Sequence, residues 1–160
     1  AHVPHCVESD LYGNLLRDDS DLRSEVGLSV LLTVDGQTVM IEGKLDALVH
    51  TADGQYHLLD YKTGQSDEAM HKQYRVQLGL YCYAVEQATG YCPASASLVY
   101  LTDSGCRVKE QDVEQMKQEA LEAAREAILG IWAGDFDHRA PDCGYCHQSP
   151  YCQASTPATD

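Results

Sequence analysis

An aspartate and a lysine two residues apart, Asp60 and Lys62, lie in the short apolar stretch LLDYKTG. If this stretch is a β-strand, both side chains leave the same face of the sheet. Asp46 lies one short turn earlier in the sequence and can face Asp60 from the adjacent strand. Two clustered carboxylates repel each other and favour a divalent cation between them. A lysine beside that ion can position a water molecule and stabilise the charge that develops on a phosphate.

The same residues have a plainer interpretation. D-x-K is a common tripeptide, and its spacing alone is typical of a cross-strand ion pair at a sheet edge. Gln77 and Tyr81, in the stretch QLGLYCYAVE, are four residues apart and share one face of a predicted helix. They can point back at Lys62, although such a pair taken alone is more often a buried amide beside a core tyrosine.

The elements that must position these residues follow from hydrophobic periodicity and turn residues. A weak helix is predicted over 7–23, and three antiparallel strands over 28–62, with hairpin turns at Asp35-Gly36 and Ala52-Asp53-Gly54. A helix over 67–89 ends on Gly90, and SASLVYL reads as a further strand. A second helix is predicted over 111–133, with one apolar side: Val113, Met116, Ala120, Ala124, Ile128 and Ile131.

Composition limits the class of protein. The chain has 160 residues, 44% of them hydrophobic, which suits one domain with a real core. No apolar run is long enough to span a membrane and no secretory leader opens the sequence, so a cytoplasmic location is expected. The net charge of −14 argues against a broad basic face for nucleic acid. It leaves room for a small basic groove, or for a site where metal ions supply the positive charge.

Seven cysteines, an odd number, argue against a disulfide framework. Cys143, Cys146 and Cys152 form a C-x2-C-x5-C pattern, which is typical of soft-metal ligands, and a fourth ligand must come from elsewhere. Cys6 is the cysteine that lies outside the core pattern. Zinc and unligated thiols are the alternatives to an iron–sulfur cluster. The remaining three are interpreted as buried or incidental thiols: Cys82, Cys92 and Cys106.

Three stretches in this order, GKLDALV, LLDYKTG and QLGLYCYAVE, resemble the motifs of the PD-(D/E)XK nucleases, in particular the RecB-like branch. The resemblance implies a restriction-endonuclease-like α/β fold, with a mixed central sheet that starts with three antiparallel strands and is flanked by helices. It implies that Asp46, Asp60 and the backbone carbonyl of Tyr61 hold Mg²⁺ or Mn²⁺. Lys62 would then activate or position the water, with Gln77 and Tyr81 in support. Glu25 matches an acid often found before the first strand in these proteins, or is a cap or surface charge.

The cysteine spacing resembles the iron–sulfur nucleases of this superfamily, of the AddB type and the CRISPR adaptation type. The resemblance implies a [4Fe–4S] cluster on Cys6, Cys143, Cys146 and Cys152, in a C-terminal iron–sulfur lobe that joins the two ends of the chain. These nucleases also carry a histidine metal ligand before the first strand, but no histidine occurs between His5 and His50. Either His5 is that ligand and the fourth cysteine lies upstream, or Cys6 binds the cluster and the histidine is absent.

The resulting hypothesis is a metal-dependent DNA exonuclease acting on single-stranded ends, as in CRISPR spacer acquisition or recombinational repair. Expected partners are DNA and a CRISPR integrase or a helicase. The alternative is a catalytically weak module that binds DNA ends or serves as a scaffold in a larger complex. We expect one domain over 1–160 with a catalytic core at 25–133, cluster-associated termini at 1–24 and 134–152, and a tail at 153–160.

Overall fold

A mixed five-stranded sheet, with two helices packed against one face, forms the body of the molecule. The computed structural model describes residues 15, 19–63, 68–102 and 105–135. Across the sheet the strands follow chain order: β1 (Asp21–Val34), β2 (Gln37–His50), β3 (Tyr56–Thr63), β4 (Ser95–Thr102) and β5 (Gly105–Gln111). The helices are α1 (Glu68–Thr89) and α2 (Val113–Ala133). The predicted α/β class with a mixed, helix-flanked sheet is confirmed.

The sheet begins with the predicted antiparallel strands. β1 pairs antiparallel with β2, and β2 with β3, whereas β3 and β4 are parallel and β5 returns antiparallel to β4. Asp35 and Gly36, which join β1 to β2, both have positive φ, at 46° and 79°. Two-residue hairpin turns of type I′ require this conformation at both positions, and Asp-Gly is a preferred pair for it. The turn signal read from the sequence is therefore confirmed.

The predicted helix over 7–23 is wrong at its C-terminal end. Asp21, Leu22 and Arg23 belong to β1, where they pair with His50, Val49 and Leu48 of β2. Their helical periodicity was weak, and a long partner strand offers backbone hydrogen bonds that local propensity does not outweigh. Of the earlier part of this predicted helix, residues 7–14 and 16–18 lie outside the described residues, and Leu15 lies in a helical turn.

The fifth strand, β5, was not predicted. Its sequence GCRVKEQ is short and polar, as befits an edge strand, and it ends where the second helix was expected to start. Helix α2 begins instead after Asp112, whose side chain accepts a hydrogen bond from the backbone N–H of Gln115 at 2.9 Å. On its predicted apolar side Met116, Ala120, Ala124 and Ile128 are buried. Ile131, the last residue of this side, is 58% exposed.

Buried hydrophobic residues form three clusters, of which two lie on the helix side of the sheet and one lies on its opposite face. The helix-side core joins the sheet to α1 and α2 and includes Leu45, Leu58, Leu78, Leu98, Tyr100 and Met116. The opposite core consists of Ala47, Val49, Leu59 and Val99, with Leu15 packed against it. No helix in the described part of the chain is long and apolar enough to cross a membrane.

Helices α1 and α2 approach each other closely at Gly79. A Cβ atom at this position would lie 2.5 Å from the carbonyl oxygen of Met116 and 2.6 Å from the Cβ of Ala120. Small residues at a crossing let helix backbones come near enough to interlock their ridges and grooves. This crossing sets how α1 lies on the sheet, and with it the position of Gln77 and Tyr81.

Candidate active site

The acid–lysine pair lies at the centre of the sheet. Asp60 and Lys62 belong to β3, the third of five strands, and Asp60 is 2% exposed. Asp60 is paired with Leu98 of β4 and Lys62 with Tyr100, and both partners belong to the helix-side core. The two side chains therefore face the helices. The alternative of a cross-strand ion pair at a sheet edge is wrong, because both residues lie on one central strand.

The Lys62 ammonium is held by three neighbours. Its Nζ forms an ion pair with Asp60 Oδ2 and donates a hydrogen bond to Gln77 Oε1 at 3.1 Å. The ring of Tyr74 lies beside it, with Nζ 4.3 Å from the ring centroid. A lysine held in this way has lost much of its rotamer freedom before a substrate binds. Such preorganisation is what positioning a water molecule for attack requires.

Gln77 and Tyr81 connect this lysine to the neighbouring strand. The Nε2 of Gln77 donates to the Tyr81 hydroxyl at 2.9 Å, while its Oε1 accepts from Lys62. The same hydroxyl accepts a hydrogen bond from the backbone N–H of Lys44 on β2 at 3.2 Å. The amide of Gln77 thus has one defined orientation, with its oxygen toward the ammonium. The structure places Gln77 against Lys62 and Tyr81 against Gln77.

Asp46 reaches this face through an irregularity in β2. Leu45 belongs to the helix-side core and Ala47 to the opposite core, although residues two apart in a regular strand share a face. The β1–β2 pairing omits the rung between Glu25 and Asp46, and Glu25 has a φ of 56°. For a residue with a side chain, such a left-handed conformation costs roughly 1–3 kcal/mol. At this point β2 exchanges its faces: the alternation of side chains along the strand is interrupted, so that residues before and after it point to opposite faces from those that regular alternation would give.

The exchange places Asp46 beside Asp60. Extending the observed pairing of Ala47 with Leu59 by one residue sets Asp46 opposite Asp60. Asp46 Oδ2 accepts a hydrogen bond from the backbone N–H of Tyr61 at 2.7 Å, which anchors the carboxylate to β3. Had β2 kept its regular alternation, Asp46 would lie on the face away from the helices. Two predicted acids and the predicted lysine therefore converge on one face.

Burial governs the acidity of Asp60. Removal from water raises the pKa of this carboxyl above its ordinary range; the hydrogen bond and charge of Lys62 oppose the shift, and the nearby Asp46 carboxylate adds to it. A carboxylate in this environment gains from any further positive charge placed beside it.

The donor set fits a hard divalent cation bound by few protein ligands. Asp60 Oδ2 is buried against the Lys62 ammonium. Among those residues, no group of three His, Cys, Asp or Glu side chains could hold a metal ion. Mg²⁺ is commonly bound through one or two carboxylates, with waters and substrate phosphates completing its shell. Asp46 and Asp60 supply two such carboxylates.

Comparison with known sequences agrees with this geometry. A sequence profile of the PD-(D/E)XK nuclease superfamily matches residues 8–153. The chain belongs to the PD-(D/E)XK nuclease superfamily. The resemblance inferred from three ordered motifs is thereby confirmed, and the match covers all six predicted site residues from Asp46 to Tyr81.

Similar proteins include two helicase/nuclease subunits. One, from Pelotomaculum thermopropionicum, is named as an ATP-dependent helicase/nuclease subunit and is 35% identical over 83 residues, which are 49% of this chain and 6% of that protein. The protein of the same name from Bacillus velezensis is 38% identical over 65 residues, 34% of this chain and 5% of that protein. The chain thus spans only about one twentieth of the length of these relatives.

Two solved structures share the fold of this superfamily member. The structure of SSO0001 superposes with a TM-score of 0.61 at 22% identity, covering 94% of this chain and 67% of that one. A protein described as an exonuclease from Eubacterium rectale gives a TM-score of 0.54 at 16% identity, covering 85% and 53%. At these identities the likeness concerns the fold.

Several predicted site residues lie outside the described residues. These are His5, the proposed metal ligand, and the four proposed cluster ligands, Cys6, Cys143, Cys146 and Cys152. Their roles stay predictions from the sequence. Of the cysteines interpreted as incidental, Cys82 is buried in the helix-side core, where burial raises the pKa of its thiol to about 12, and Cys92 is exposed. A buried thiol with so high a pKa is unreactive at neutral pH.

Glu25 lies near the site without joining its acids. It is opposite Asp46 in the hairpin, yet its carboxylate is exposed and forms an ion pair with Lys44 Nζ at 3.0 Å. The sequence left open whether this acid touches the site or is a surface charge. In the structure it is a surface charge on a strained residue, next to the rung where β2 exchanges its faces.

Sequence reasoning missed two residues of this site, Tyr74 and Gly43. Tyr74 precedes Gln77 by three positions, and that helical spacing to Gln77 and Tyr81 would have placed all three on one face. Gly43 opens the G-x-x-D stretch. A Cβ atom there would lie 2.5 Å from Tyr81 Cε1 and 3.0 Å from its hydroxyl oxygen. The glycine is needed because the Tyr81 ring lies directly against the β2 backbone.

We expect Gly43→Ala to lower the rate of the cleavage reaction about tenfold, with a stability loss of about 1–3 kcal/mol from overpacking. The added methyl group displaces Tyr81, so Gln77 Nε2 loses its acceptor. The Gln77 amide, which binds Lys62 through its oxygen, is then less well held. Gly27→Ala is the matched control, because Gly27 lies in the same hairpin with nothing within 4 Å of its Cβ position. Single-turnover rates and thermal melts of both variants check the prediction. Equal rates for the two would contradict it.

Proposed function

We propose that this chain is the catalytic domain of a metal-dependent DNA exonuclease that hydrolyses phosphodiester bonds at single-stranded ends. The observation that carries the proposal is the convergence of Asp46, Asp60 and Lys62 on one face of the sheet. Membership of a nuclease superfamily supports the reaction class. The preference for single strands and for ends comes from the motif resemblance.

In the proposed reaction the oxygen of a water molecule forms a bond to phosphorus and one ester bond breaks. The water loses a proton to solvent, and the leaving oxygen takes one up. Asp46, Asp60 and the carbonyl of Tyr61 would hold Mg²⁺ or Mn²⁺, which supplies an acidified water and stabilises charge on the phosphate. Lys62 brings a second positive charge to the developing phosphorane oxygens and orients the water. Gln77 fixes that ammonium through its amide oxygen.

The relatives favour one cellular setting over another. Sequence motifs suggested a nuclease of CRISPR spacer acquisition or a nuclease domain of a helicase–nuclease. Both similar proteins are named as helicase/nuclease subunits, and the chain matches a small part of each. We therefore favour a nuclease domain that works on DNA ends exposed by a helicase. The proposed [4Fe–4S] cluster on Cys6, Cys143, Cys146 and Cys152 would join the two ends of this domain.

The test is digestion of end-labelled DNA by the purified chain with Mg²⁺ or Mn²⁺. We expect linear single strands to be degraded and closed circular single strands to survive, because an exonuclease needs an end. Chelation of the metal with EDTA should stop the reaction, since two carboxylates without a cation repel an incoming phosphate. Asp46→Asn should be inactive while keeping the hydrogen bond from Tyr61, and Asp35→Asn at the hairpin tip should be fully active.

Each other outcome has a defined meaning. Cleavage of the closed circular single strands would show that the chain is an endonuclease and not an exonuclease. Binding of DNA ends without cleavage under either metal would favour the scaffold module over an enzyme. Full activity of Asp46→Asn would remove this aspartate from the site.

A further inference from the structure

Two basic residues of the edge strand β5 face the same side as the candidate active site. Arg107 pairs with Tyr100 of β4, and Lys109 pairs with Leu98; both partners belong to the helix-side core. Val108, which lies between them, packs against the opposite core. The alternation of side chains along a strand therefore directs Arg107 and Lys109 toward the helix side.

These two cations have no carboxylate partner among the described residues. Of the other basic residues in that part of the chain, Lys72 on α1 has no such partner either, and six form ion pairs: Arg23, Lys44, Lys62, Arg75, Lys117 and Arg125. Arg107 and Lys109 are exposed, and each places its charged group 5.6 Å from the centroid of the Tyr100 ring. In a chain with a net charge of −14, two such cations on one face are a local site for an anion.

Their position relative to the active site is set by the sheet. Lys62 pairs with Tyr100, and Tyr100 pairs with Arg107, so the three form one row across β3, β4 and β5. Two strand spacings separate Lys62 from Arg107 in this row, which is about 10 Å. Over that distance, phosphates of one strand can reach both ends of the row.

The surroundings of Tyr100 carry positive potential. Its hydroxyl lies 2.7 Å from the Nδ1 of His71 on α1. Burial lowers the pKa of His71, and the charges of Lys109 and Arg75 lower it further. Arg75 is already engaged by Glu119 at 2.7 Å, so its charge is partly neutralised. Lys109 and Arg107 add positive charge to this region from the β5 side.

We propose that Arg107 and Lys109 bind backbone phosphates of the substrate strand on the β5 side of the active site, next to the phosphate that is cleaved. The inference rests on the proposed nuclease function. Arginine can bind a phosphate through two parallel hydrogen bonds, and lysine binds it as a compact point charge. These contacts hold the strand in register without touching the reacting atoms.

The experiment measures binding of a fluorescent single-stranded oligonucleotide against salt concentration. It uses the full chain in an Asp46→Asn background with Mg²⁺, so that the strand stays intact. For single strands the slope of log K against log salt changes by about 0.7 for each phosphate contact. We expect Arg107→Gln and Lys109→Gln each to reduce the slope by that amount, and the double variant by about 1.4. Both side chains are exposed, so thermal melts should match those of the parent.

Arg125→Gln is the matched control. It removes the same charge from the surface, but Arg125 is already paired with Asp35 at 2.6 Å, so the slope should not change. An unchanged slope in the double variant, with cleavage by the wild type intact, would overturn this inference and leave the proposed function standing. Failure of the parent to bind and of the wild type to cleave would overturn both.

Discussion

Lys62→Met should lower the rate of DNA cleavage by on the order of 10²–10³-fold, the usual effect of removing one preorganised group that stabilises transition-state charge. Methionine matches lysine as far as Cε, so the main loss is that of the ammonium together with its contact to the Tyr74 ring. The Lys62 charge also offsets the burial of Asp60, which is 2% exposed. Without it the pKa of Asp60 rises further, and a protonated Asp60 is a poor ligand for a cation.

Removing one partner of a buried ion pair lowers the free energy of unfolding by roughly 3–5 kcal/mol when the other partner stays charged. The folding of the variant must therefore be measured alongside its activity. Lys62→Arg separates the effect on activity from the effect on folding, because it keeps a positive charge beside Asp60. It should fold well and still lose most of the activity, since a planar guanidinium cannot reproduce the hydrogen bond to Gln77 Oε1 in the same place. Arg125→Met removes a paired surface cation and should cleave at the wild-type rate. Single-turnover rates near those of the wild type in both Lys62 variants would rule out the proposed role of Lys62.

Gly79→Ala should destabilise the fold by about 1–3 kcal/mol through overpacking, although alanine is the better helix former. The new methyl group would lie 2.5 Å from the Met116 carbonyl oxygen, and a backbone atom cannot move aside as the end of a side chain can. The helices must separate, which also shifts Gln77 away from Lys62. For a chain of this size, each kcal/mol corresponds to about 2–4 °C in Tm.

Gly130→Ala in α2 is the control that separates the effect of the α1–α2 contact from the effect of helix propensity. It is also a helical glycine, but nothing lies within 4 Å of its Cβ position. There the substitution should stabilise the fold by about 0.5–1 kcal/mol, the ordinary gain in helix propensity. Denaturant unfolding of both variants gives the two free energies. A stabilised Gly79→Ala variant would show that α1 and α2 do not pack as closely as described.

Much of the fold was predictable because local signals and tertiary structure agree. The Asp35-Gly36 turn has the left-handed conformation that such pairs favour, and Gly90 ends α1 with a φ of 80°. The alternation of β5 was hidden, since Arg107, Lys109 and Gln111 fill the positions where apolar residues would signal a strand. The start of β1 was hidden for another reason. Its residues gain their backbone hydrogen bonds from β2, which lies far away along the chain.

The site was predictable in its members and not in its geometry. Spacing placed Asp60 with Lys62 and Gln77 with Tyr81, because each pair lies within one regular element. Pairing of adjacent strands placed Asp46 opposite Asp60, whereas alternation along β2 alone would have misplaced it, because Leu45 and Ala47 face different cores. The close approach of Tyr81 to Gly43 is likewise a contact between separate elements, and only the glycine itself hinted at it.

The exchange of faces in β2 has a consequence for where this domain can be cut. Asp46 faces the helices because the pairing of β1 with β2 is interrupted at Glu25 and Asp46. Four residue pairs, from Asp21–His50 to Ser24–Ala47, hold the two strands together on the far side of that interruption. A fragment starting at residue 25, the expected boundary of the catalytic core, would keep every motif residue and lose that anchor. The first acid would then depend on its hydrogen bond from Tyr61 and on the β2–β3 pairing alone, so we expect a stable minimal nuclease module to include Asp21.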